Sequence, residues 1–464
     1  MENEKVLDTA TLEVDVEENK SISAADEPLE ESSHHHGHHH GHHHGHHHHR
    51  HHSSHRRSKR SKKGNKVINF FKTNRSIIVN VVLCIFVVIL LILIAIQHDK
   101  FKNKPTQYID EPSQITSSKT VQVKVSLFTD EVCLAPDAVV KYIEGNGGIS
   151  AHDVWRDNRG NRKRLDFDVP VSLSYSITGL PSSVSVVDTV VEVSKDLSFM
   201  ESELYNVKEK SGSVELKYLE CGVRYYFRVI GTLSDGTNVG AFGEFTTADT
   251  PRILSVDGIV NVRDIGGWET SNGKVIKQGV LYRGSELDGA VEAEYLLSAE
   301  GKTDMLSVLG INFEMDLRNE ADTPKGKDVL GSGVPHVYYG APMYAAVFDS
   351  NNSETIRKIF SDLADERNYP MYLHCTYGKD RTGSICYLLE ALLGLSDTQL
   401  RMEYELSAFC GGNVDPESWG GFMNEVQELE GYTTSEKVEN YLLSIGVTAE
   451  EIESIRNIFL EDVH

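Results

Sequence analysis

The sequence predicts three structured parts in one chain: a single transmembrane helix, a β-sandwich domain and a C-terminal α/β domain that holds the functional site. Three observations support this division. Residues 76–96 form an uncharged apolar run, apolar residues alternate with polar ones between 121 and 248, and from 251 onward short extended segments alternate with amphipathic helical segments. Strands that alternate with helices indicate a sheet layer covered by helices.

Length and charge set the first limits on function. The chain has 464 residues, enough for two or three domains, and a formal net charge of −23. Residues 1–31 carry eleven acids against two lysines, whereas 50–75 carry ten bases and no acid. We expect 1–75 to be a disordered cytoplasmic segment. Because the remainder is strongly acidic and repels nucleic acid, we predict no DNA or RNA partner.

A histidine tract runs from His34 to His55 and contains sixteen of the 21 histidines. Glycines interrupt it and disfavour a regular helix, so its imidazoles could bind Zn²⁺, Ni²⁺ or Cu²⁺ loosely and without defined geometry. The alternative is that the histidine tract is a solvated low-complexity tail that has no role in metal binding.

The uncharged run from Ser76 to Ile96 contains 21 residues and is long enough to cross the hydrocarbon core. Ten bases precede it and three lysines follow it at 100, 102 and 104, a bias that places the N-terminus in the cytoplasm and the rest of the chain outside the cell. A buried helix of a soluble domain is the alternative. Residues 97–120 are expected to form a stalk.

Residues 121–248 show the alternation typical of a β-sandwich. Leu219-x-x-Gly222-x-x-Tyr225 resembles the tyrosine corner of fibronectin type III domains, and the segment 243–247 resembles their last strand. The charged region 141–168 is expected to be an insertion. We expect this domain to act as a spacer, with ligand binding as the alternative.

Two cysteines of this region, Cys133 and Cys221, could form a disulfide in an oxidising exterior. Two separate buried thiols are the alternative.

The region 251–464 contains the elements of the α/β domain. Extended segments are predicted at 280–282, 312–317, 335–339 and 371–373, and helices at 354–366, 382–393, 397–409, 435–445 and 449–460. Two of these helices begin with capping boxes, Ser396-x-x-Gln399 and Thr448-x-x-Glu451.

The functional stretch is the loop between the segment 371–373 and the helix that follows it. At a helix N-terminus, unsatisfied N–H groups and the helix dipole favour an anion, so we expect Cys375 to be a thiolate near neutral pH. Arg381 follows six positions later, and its planar fork matches phosphate oxygens in a way that lysine cannot. The predicted phosphate-binding loop comprises Thr376, Tyr377, Gly378, Lys379, Asp380 and Arg381.

Other interpretations of this loop fit less well. A nucleotide-binding Walker loop requires Ser or Thr after Gly-Lys, where this chain has Asp380. A buried structural cysteine is the usual interpretation of an isolated Cys. That interpretation does not fit Cys375, because His374, Gly378 and Arg381 flank it.

The Cys-x5-Arg-Thr-Gly pattern resembles the phosphate-binding loop of protein tyrosine phosphatases, and the form Gly-Lys-Asp-Arg-Thr-Gly resembles the bacterial tyrosine/serine phosphatase family. Two further blocks are similar to that family, 261–267 together with 281–287, and 314–320. The resemblance covers about 210 residues. It implies an α/β tyrosine phosphatase-like catalytic domain over 251–464.

The resemblance also implies a chemistry: hydrolysis of phosphomonoesters through a phosphocysteine intermediate, with no cofactor and no metal in the catalytic site. Cys375 would be the nucleophile and Arg381 would stabilise the transition states. Thr382 would donate to the Cys375 sulfur, cap the helix, or do both. His374 is expected to tune the loop through hydrogen bonds, with support from Arg263, Asp264 and Arg283.

Two residues of the loop region have open roles. Lys379 is expected to be a solvated lysine at the rim of the site, although by resemblance it could admit phosphoinositides. Asp380 is the favoured general acid because its place in the loop fixes its distance to the leaving oxygen. Asp316 is the second candidate acid, but it also suits a buried ion pair with Arg318 or Arg283.

The function predicted from the sequence is a membrane-anchored protein tyrosine phosphatase, including the dual-specificity kind, that acts on a phosphorylated protein. A phosphoinositide or other non-protein phosphomonoester is the alternative substrate. A surface receptor or adhesion protein with a phosphatase-like scaffold is the second alternative, and the intact set of Cys375, Asp380 and Arg381 argues against it.

The predicted topology can be tested on intact cells. Added protease should remove the domain that an antibody against the C-terminus detects, because 97–464 would lie outside the membrane. Full protection of that domain until the cells are lysed would reverse the orientation.

Overall fold

The computed structural model describes residues 121–126, 131–146, 148–158, 160, 164–249, 251–320, 328–411 and 414–463. The predictions of a disordered segment, a histidine tract, a transmembrane helix and a stalk lie outside these residues. Within the described ranges, no helix is long and apolar enough to span a bilayer. All described residues belong to one structural unit, 107–464.

Residues 121–249, which we name the N-terminal β domain, form two sheets with a shared apolar core. The smaller sheet has the order β1 (Gln122–Ser126), β3 (Val171–Thr178) and β6 (Ser211–Leu216). The larger has the order β2 (Glu131–Val132), β8 (Asn238–Thr247), β7 (Arg224–Leu233), β4 (Val186–Ser194) and β5 (Glu203–Asn206). Alternate side chains of β3 and β7 are buried, as the period of two requires.

The contact typical of a tyrosine corner is present in this domain, since the backbone N–H of Glu220 donates to Tyr225 Oη at 2.9 Å. The resemblance to fibronectin type III domains stays a prediction.

Of the two possibilities that the sequence left open for Cys133 and Cys221, the structure shows two separate thiols and no disulfide between them. They pack in different places: Cys221 lies in the core between the sheets, whereas Cys133 contacts a separate cluster around two helices.

The charged region that was expected to be an insertion includes most of a helical pair, α1 (Asp137–Glu144) and α2 (Ala151–Asn158). Its apolar faces pack against the catalytic domain, in a cluster that contains Trp155 and Phe409. Leu165 N–H donates to the backbone oxygen of Phe409 at 2.7 Å. The N-terminal β domain is therefore joined to the catalytic domain by an apolar interface, which the spacer interpretation did not anticipate.

The catalytic domain is built on a five-stranded sheet with the order β13 (His336–Tyr338), β12 (Phe313–Asp316), β14 (Met371–His374), β11 (Leu281–Gly284) and β9 (Arg263–Asp264). All neighbours pair in parallel except β9, which is antiparallel to β11. The central strand β14 is buried along its whole length. A separate two-stranded antiparallel sheet pairs β10 (Lys274–Ile276) with β15 (Leu460–Asp462) near the C-terminus.

The helices that cover the sheet are α3 (Ala299–Thr303), α4 (Ser353–Leu363), α5 (Asp380–Leu393), α6 (Asp397–Glu405), α7 (Pro416–Glu428), α8 (Thr434–Ser444) and α9 (Ala449–Phe459). Both predicted capping boxes are confirmed, at the starts of α6 and α9. The helix α7 was not predicted from the sequence, because Gly420 and Gly421 lower its helix propensity.

Removal of the Phe409 ring should destabilise the protein by about 3–5 kcal/mol, because this ring is fully buried between α1 and the catalytic domain. Urea unfolding of full-length Phe409→Ala measures the loss. The control is Tyr432→Ala, since Tyr432 is 99% exposed. Equal effects of the two substitutions would show that the interface contributes no stability.

Candidate active site

Cys375 lies directly after β14 and is buried. Residues 376–379 form the loop, and α5 begins at Asp380 without a side-chain cap. The N–H groups in the first turn of a helix have no acceptor within that helix, so the end of α5 offers donors beside the cysteine. The predicted junction of strand, loop and helix N-terminus is confirmed.

The carbonyl oxygens of the loop are all bound by neighbouring donors. Thr376 O accepts the backbone N–H of Glu286 at 3.0 Å, and Tyr377 O accepts Asn261 Nδ2 at 3.0 Å. Gly378 O accepts both Asn261 Nδ2 at 3.1 Å and Arg283 Nη2 at 2.8 Å.

This arrangement fixes the direction of the loop N–H groups. In a planar trans peptide the carbonyl and the next N–H point in opposite directions. The N–H groups of Tyr377, Gly378 and Lys379 therefore point away from the residues that bind the carbonyls, towards the inner side of the loop. Such a set of convergent N–H groups favours an anion.

Gly378 is required by the geometry of this loop. Its φ is +66°, and a Cβ built there would lie 2.3 Å from the backbone oxygen of Gly284 on β11. Only glycine combines that conformation with so close an approach.

Two of the predicted supporting residues hold the loop through one carboxylate. Glu403 of α6 accepts Arg263 Nε at 2.6 Å and Arg283 Nη1 at 2.5 Å, and all three side chains are buried. Burial tends to raise the pKa of Glu403, but Arg263 and Arg283 outweigh burial and lower the pKa below its usual value. The carboxylate is therefore ionised, and its negative charge is shared by the guanidinium groups of Arg263 and Arg283.

Asp264, the third predicted supporting residue, acts elsewhere. It pairs with Arg252 Nη1 at 2.8 Å and accepts the N–H groups of Gly266 and Gly279. Arg252 also donates to the backbone oxygens of Leu219 and Tyr218 in the N-terminal β domain. Asp264 therefore stabilises the junction between the domains.

Asp380 is the first residue of α5 and is partly exposed. The hydroxyl of Tyr344 donates to its Oδ1, and Lys379 Nζ lies 3.6 Å from the same oxygen. Tyr344 Oη also lies 2.9 Å from Tyr404 Oη. This pair of tyrosines fixes the carboxyl group of Asp380 at the edge of the loop.

Arg381 and Thr382 are the second and third residues of α5. Because Lys379 is the N-cap, the capping role expected for Thr382 is wrong. Thr382 Oγ1 is buried and has no hydrogen-bond partner among the described residues. That includes the sulfur of Cys375, so the donation to this sulfur stays a prediction.

Asp316 lies at the end of β12 and is fully buried. Its two oxygens bind Arg318, with Nη2–Oδ2 at 2.7 Å and Nε–Oδ1 at 3.0 Å. Burial tends to raise the pKa of Asp316, but His374, His336 and Arg318 hold the pKa far below its usual value. Of the roles left open by the sequence, the structure favours the ion pair with Arg318.

His374 is fully buried, with Nε2 3.0 Å from Glu314 Oε1 and Nδ1 3.3 Å from the backbone oxygen of Cys375. It is therefore positioned to orient the loop through hydrogen bonds.

Five side chains around the loop received no role from the sequence: Asn261, Glu314, His336, Tyr344 and Glu403. The sequence could have indicated a buried role for Glu403, because this carboxylate lies beside the apolar residues Leu400 and Tyr404 of the same helix. For Tyr344, in an irregular segment, the sequence offers no such signal.

A cysteine at a strand end, convergent N–H groups and an arginine in the first turn of a helix form an arrangement that favours an anion such as phosphate, as the resemblance to tyrosine phosphatases implies. Comparison with known proteins agrees. Residues 254–461 match the model of the tyrosine phosphatase family. This match supports a phosphoric monoester hydrolase.

The relatives are distant. A candidate tyrosine-protein phosphatase of Cupriavidus necator is 23% identical over 175 residues, which are 32% of this chain and 61% of that protein. The chain thus spans about three fifths of its curated relative. The core catalytic domain of the PP-IP phosphatase SIW14 from S. cerevisiae, solved with citrate, is 20% identical, with 30% of this chain and 78% of that chain covered and a TM-score of 0.23.

Gly378→Ala should abolish binding of inorganic phosphate, because the added Cβ meets the backbone of β11. Isothermal titration calorimetry measures binding. The matched control is Gly273→Ala: Gly273 has a φ of +75° but no heavy atom near its Cβ position, so it reports the effect of φ alone. Retention of phosphate affinity in Gly378→Ala would contradict the proposed loop geometry.

Proposed function

We propose that this protein is a cysteine-dependent protein tyrosine phosphatase, including the dual-specificity kind, that works through a phosphocysteine intermediate. The observation that carries this proposal is the loop itself, whose carbonyls are held from outside by Asn261, Arg283 and Glu286, so that its N–H groups surround the space next to Cys375.

In the first step, the Cys375 thiolate attacks phosphorus in line and the leaving oxygen departs with a proton from Asp380. The loop N–H groups and Arg381 stabilise the equatorial oxygens as the charge redistributes. The contacts of Asp380 with Tyr344 and Lys379 keep its carboxyl group at the edge of the loop, within reach of a leaving group.

In the second step, water attacks the phosphocysteine and the thiolate leaves. Asp380 accepts the proton of the water, since the acid of the first step is the base of the second. Thr382 Oγ1 is buried and has no hydrogen-bond partner among the described residues, so in this step it turns to the sulfur, donates its proton in a hydrogen bond and makes the sulfur a better leaving group.

Aromatic side chains at the loop favour an aryl phosphate. Tyr377 is 40% exposed and meets the ring of Tyr295 edge to face, with 6.0 Å between centroids. A flat phenolic ring can pack against such a wall, whereas an alkyl phosphate gains less from it. Lys379 lies beside Asp380, so we propose that it acts as a rim residue rather than as a phosphoinositide anchor.

We further propose that residues 76–96 anchor the protein in the cell membrane, with the N-terminus cytoplasmic and the catalytic domain outside the cell. The 21-residue uncharged run and the bias of basic residues support this part of the proposal.

Cys375→Ser should abolish turnover of a phosphotyrosine peptide while inorganic phosphate still binds, because the loop N–H groups remain and only the nucleophile is lost. The control is Cys133→Ser, a thiol of the N-terminal β domain. The same assay with phosphoserine peptides and phosphoinositides compares the substrate classes. Full activity in Cys375→Ser would exclude the cysteine mechanism, and preferred turnover of phosphoinositides would reassign the substrate.

Asp380→Asn should slow turnover of the phosphotyrosine peptide by about 10²–10⁴-fold, and should matter less for an activated aryl phosphate whose leaving group needs no proton. Asp316→Asn should mainly lower the thermal unfolding temperature, because it breaks a buried ion pair. If the leaving-group-dependent loss appears in Asp316→Asn and not in Asp380→Asn, the two roles must be exchanged.

A further inference from the structure

Four potential metal ligands from three adjacent strands meet beside the phosphate loop: Glu314 and Asp316 of β12, His336 of β13 and His374 of β14. The register of the sheet explains why these four side chains lie close together. Asp316 is paired with His374, and Glu314 is paired with His336, two residues earlier on β12. Residues two apart on a strand share a face, so all four side chains project from the same side of the sheet.

The spacing of the ligand atoms fits a tetrahedral ion. His374 Nε2 lies 3.0 Å from Glu314 Oε1 and 3.9 Å from Asp316 Oδ2, and His336 Nε2 lies 3.4 Å and 3.6 Å from the same two oxygens. All four atoms lie within 4.8 Å of one another. Ligands about 2.0–2.1 Å from a tetrahedral Zn²⁺ are separated by about 3.4 Å. Small shifts of these side chains would therefore accommodate the ion.

His336 provides independent support for a ligand at this place. Its side chain is 8% exposed, and its Nε2 is buried without a hydrogen-bond partner among the described residues. Two carboxylate oxygens lie 3.4 Å and 3.6 Å from this nitrogen, but neither contact has the geometry of a hydrogen bond, and a buried polar atom in that position is uncommon and favours an ion between the groups. This atom is directed at the two carboxylates of the cluster.

The local charge also favours a cation. Arg318 is the guanidinium that binds Asp316, and it is shared with Glu286 and Asp288. Arg318 thus pairs with three carboxylates, and Glu314 is a fourth buried carboxylate that faces only the two imidazoles, so carboxylates outnumber guanidinium groups in this buried region. A divalent cation would reduce that excess.

The surrounding contacts match those of metal ligands in general. A histidine that binds a metal through one nitrogen usually donates its other N–H to a carbonyl or carboxylate. His374 has Nδ1 3.3 Å from the backbone oxygen of Cys375, so Nε2 is the nitrogen that faces the cluster. Arg318 likewise orients Asp316 from the other side.

We infer that Glu314, Asp316, His336 and His374 form a structural Zn²⁺ site that joins β12, β13 and β14 next to the catalytic cysteine. Two imidazoles and two carboxylates suit Zn²⁺ better than Mg²⁺ or Ca²⁺, which prefer oxygen ligands alone. The ion would stabilise the strand end that carries Cys375 without touching the substrate, so it takes no part in phosphocysteine chemistry. The competing interpretation is that protons on the imidazoles balance the carboxylates and no cation binds.

Co²⁺ serves as a spectroscopic probe for this site, because tetrahedral Co²⁺ has visible absorption bands that octahedral Co²⁺ lacks. The full-length protein is stripped with chelator, titrated with Co²⁺ and then with Zn²⁺, and its thermal unfolding is recorded with and without Zn²⁺. The variants are His336→Gln and, as a matched control, His152→Gln from α2. The histidine tract is the same in all three proteins, so differences between them report on the cluster.

We expect tetrahedral Co²⁺ bands and a Zn²⁺-dependent rise of the unfolding temperature in the wild type and in His152→Gln. In His336→Gln the bands should disappear, and Zn²⁺ should bind at least about 10-fold more weakly. His336→Cys, which keeps a ligand at this position, should bind Co²⁺ with an added thiolate charge-transfer band. Absence of tetrahedral bands in the wild type, or equal bands in the wild type and His336→Gln, would overturn the inference whether or not the protein is a phosphatase.

Discussion

The rest of the site depends on the buried ion pairs that the carboxylate of Glu403 makes with two arginines. This carboxylate binds Arg263 of β9 and Arg283 of β11, and Arg283 in turn binds the carbonyl of Gly378 in the loop. Removal of one partner from a buried ion pair leaves a charge without compensation and costs about 3–5 kcal/mol. One helix and two strands thus share a single anion, which acts on the loop through the hydrogen bond from Arg283 to the carbonyl of Gly378.

The loop favours an anion because its own carbonyl oxygens are held by hydrogen bonds from neighbouring residues. Asn261, Arg283 and the N–H of Glu286 occupy the carbonyl oxygens. With the acceptors engaged outside, the inner side of the loop presents donors, and Arg381 adds a positive charge. Much of the polar network around Cys375 therefore orients the peptide N–H groups of the loop towards its inner side. Only a few side chains would contact a phosphate directly.

The sequence predicted the parts of the fold that local rules control. The apolar run of β14, the capping boxes at Ser396 and Thr448 and the loop from Cys375 to Arg381 each depend on residues that are close in the chain. The partners of Glu403 lie 120 and 140 positions away, and His336 meets Glu314 only through strand pairing. Such contacts depend on register and topology, which one sequence does not specify. Whether Cys133 and Cys221 are bonded was left open by the sequence for the same reason, since two cysteines in one domain need not share a core.

The N-terminal β domain reaches the catalytic loop through two hydrogen bonds in series. Asp166, just beyond the helical insertion, accepts the backbone N–H of Asn261 at 2.6 Å, and the side chain of Asn261 holds the carbonyl of Tyr377. A cut between the domains near residue 250 would remove the acceptor of a buried N–H next to the site. The smallest piece of this chain that retains the geometry of the loop is thus larger than the domain that carries the loop, and a protein expressed from residue 251 would differ from the intact one at that place.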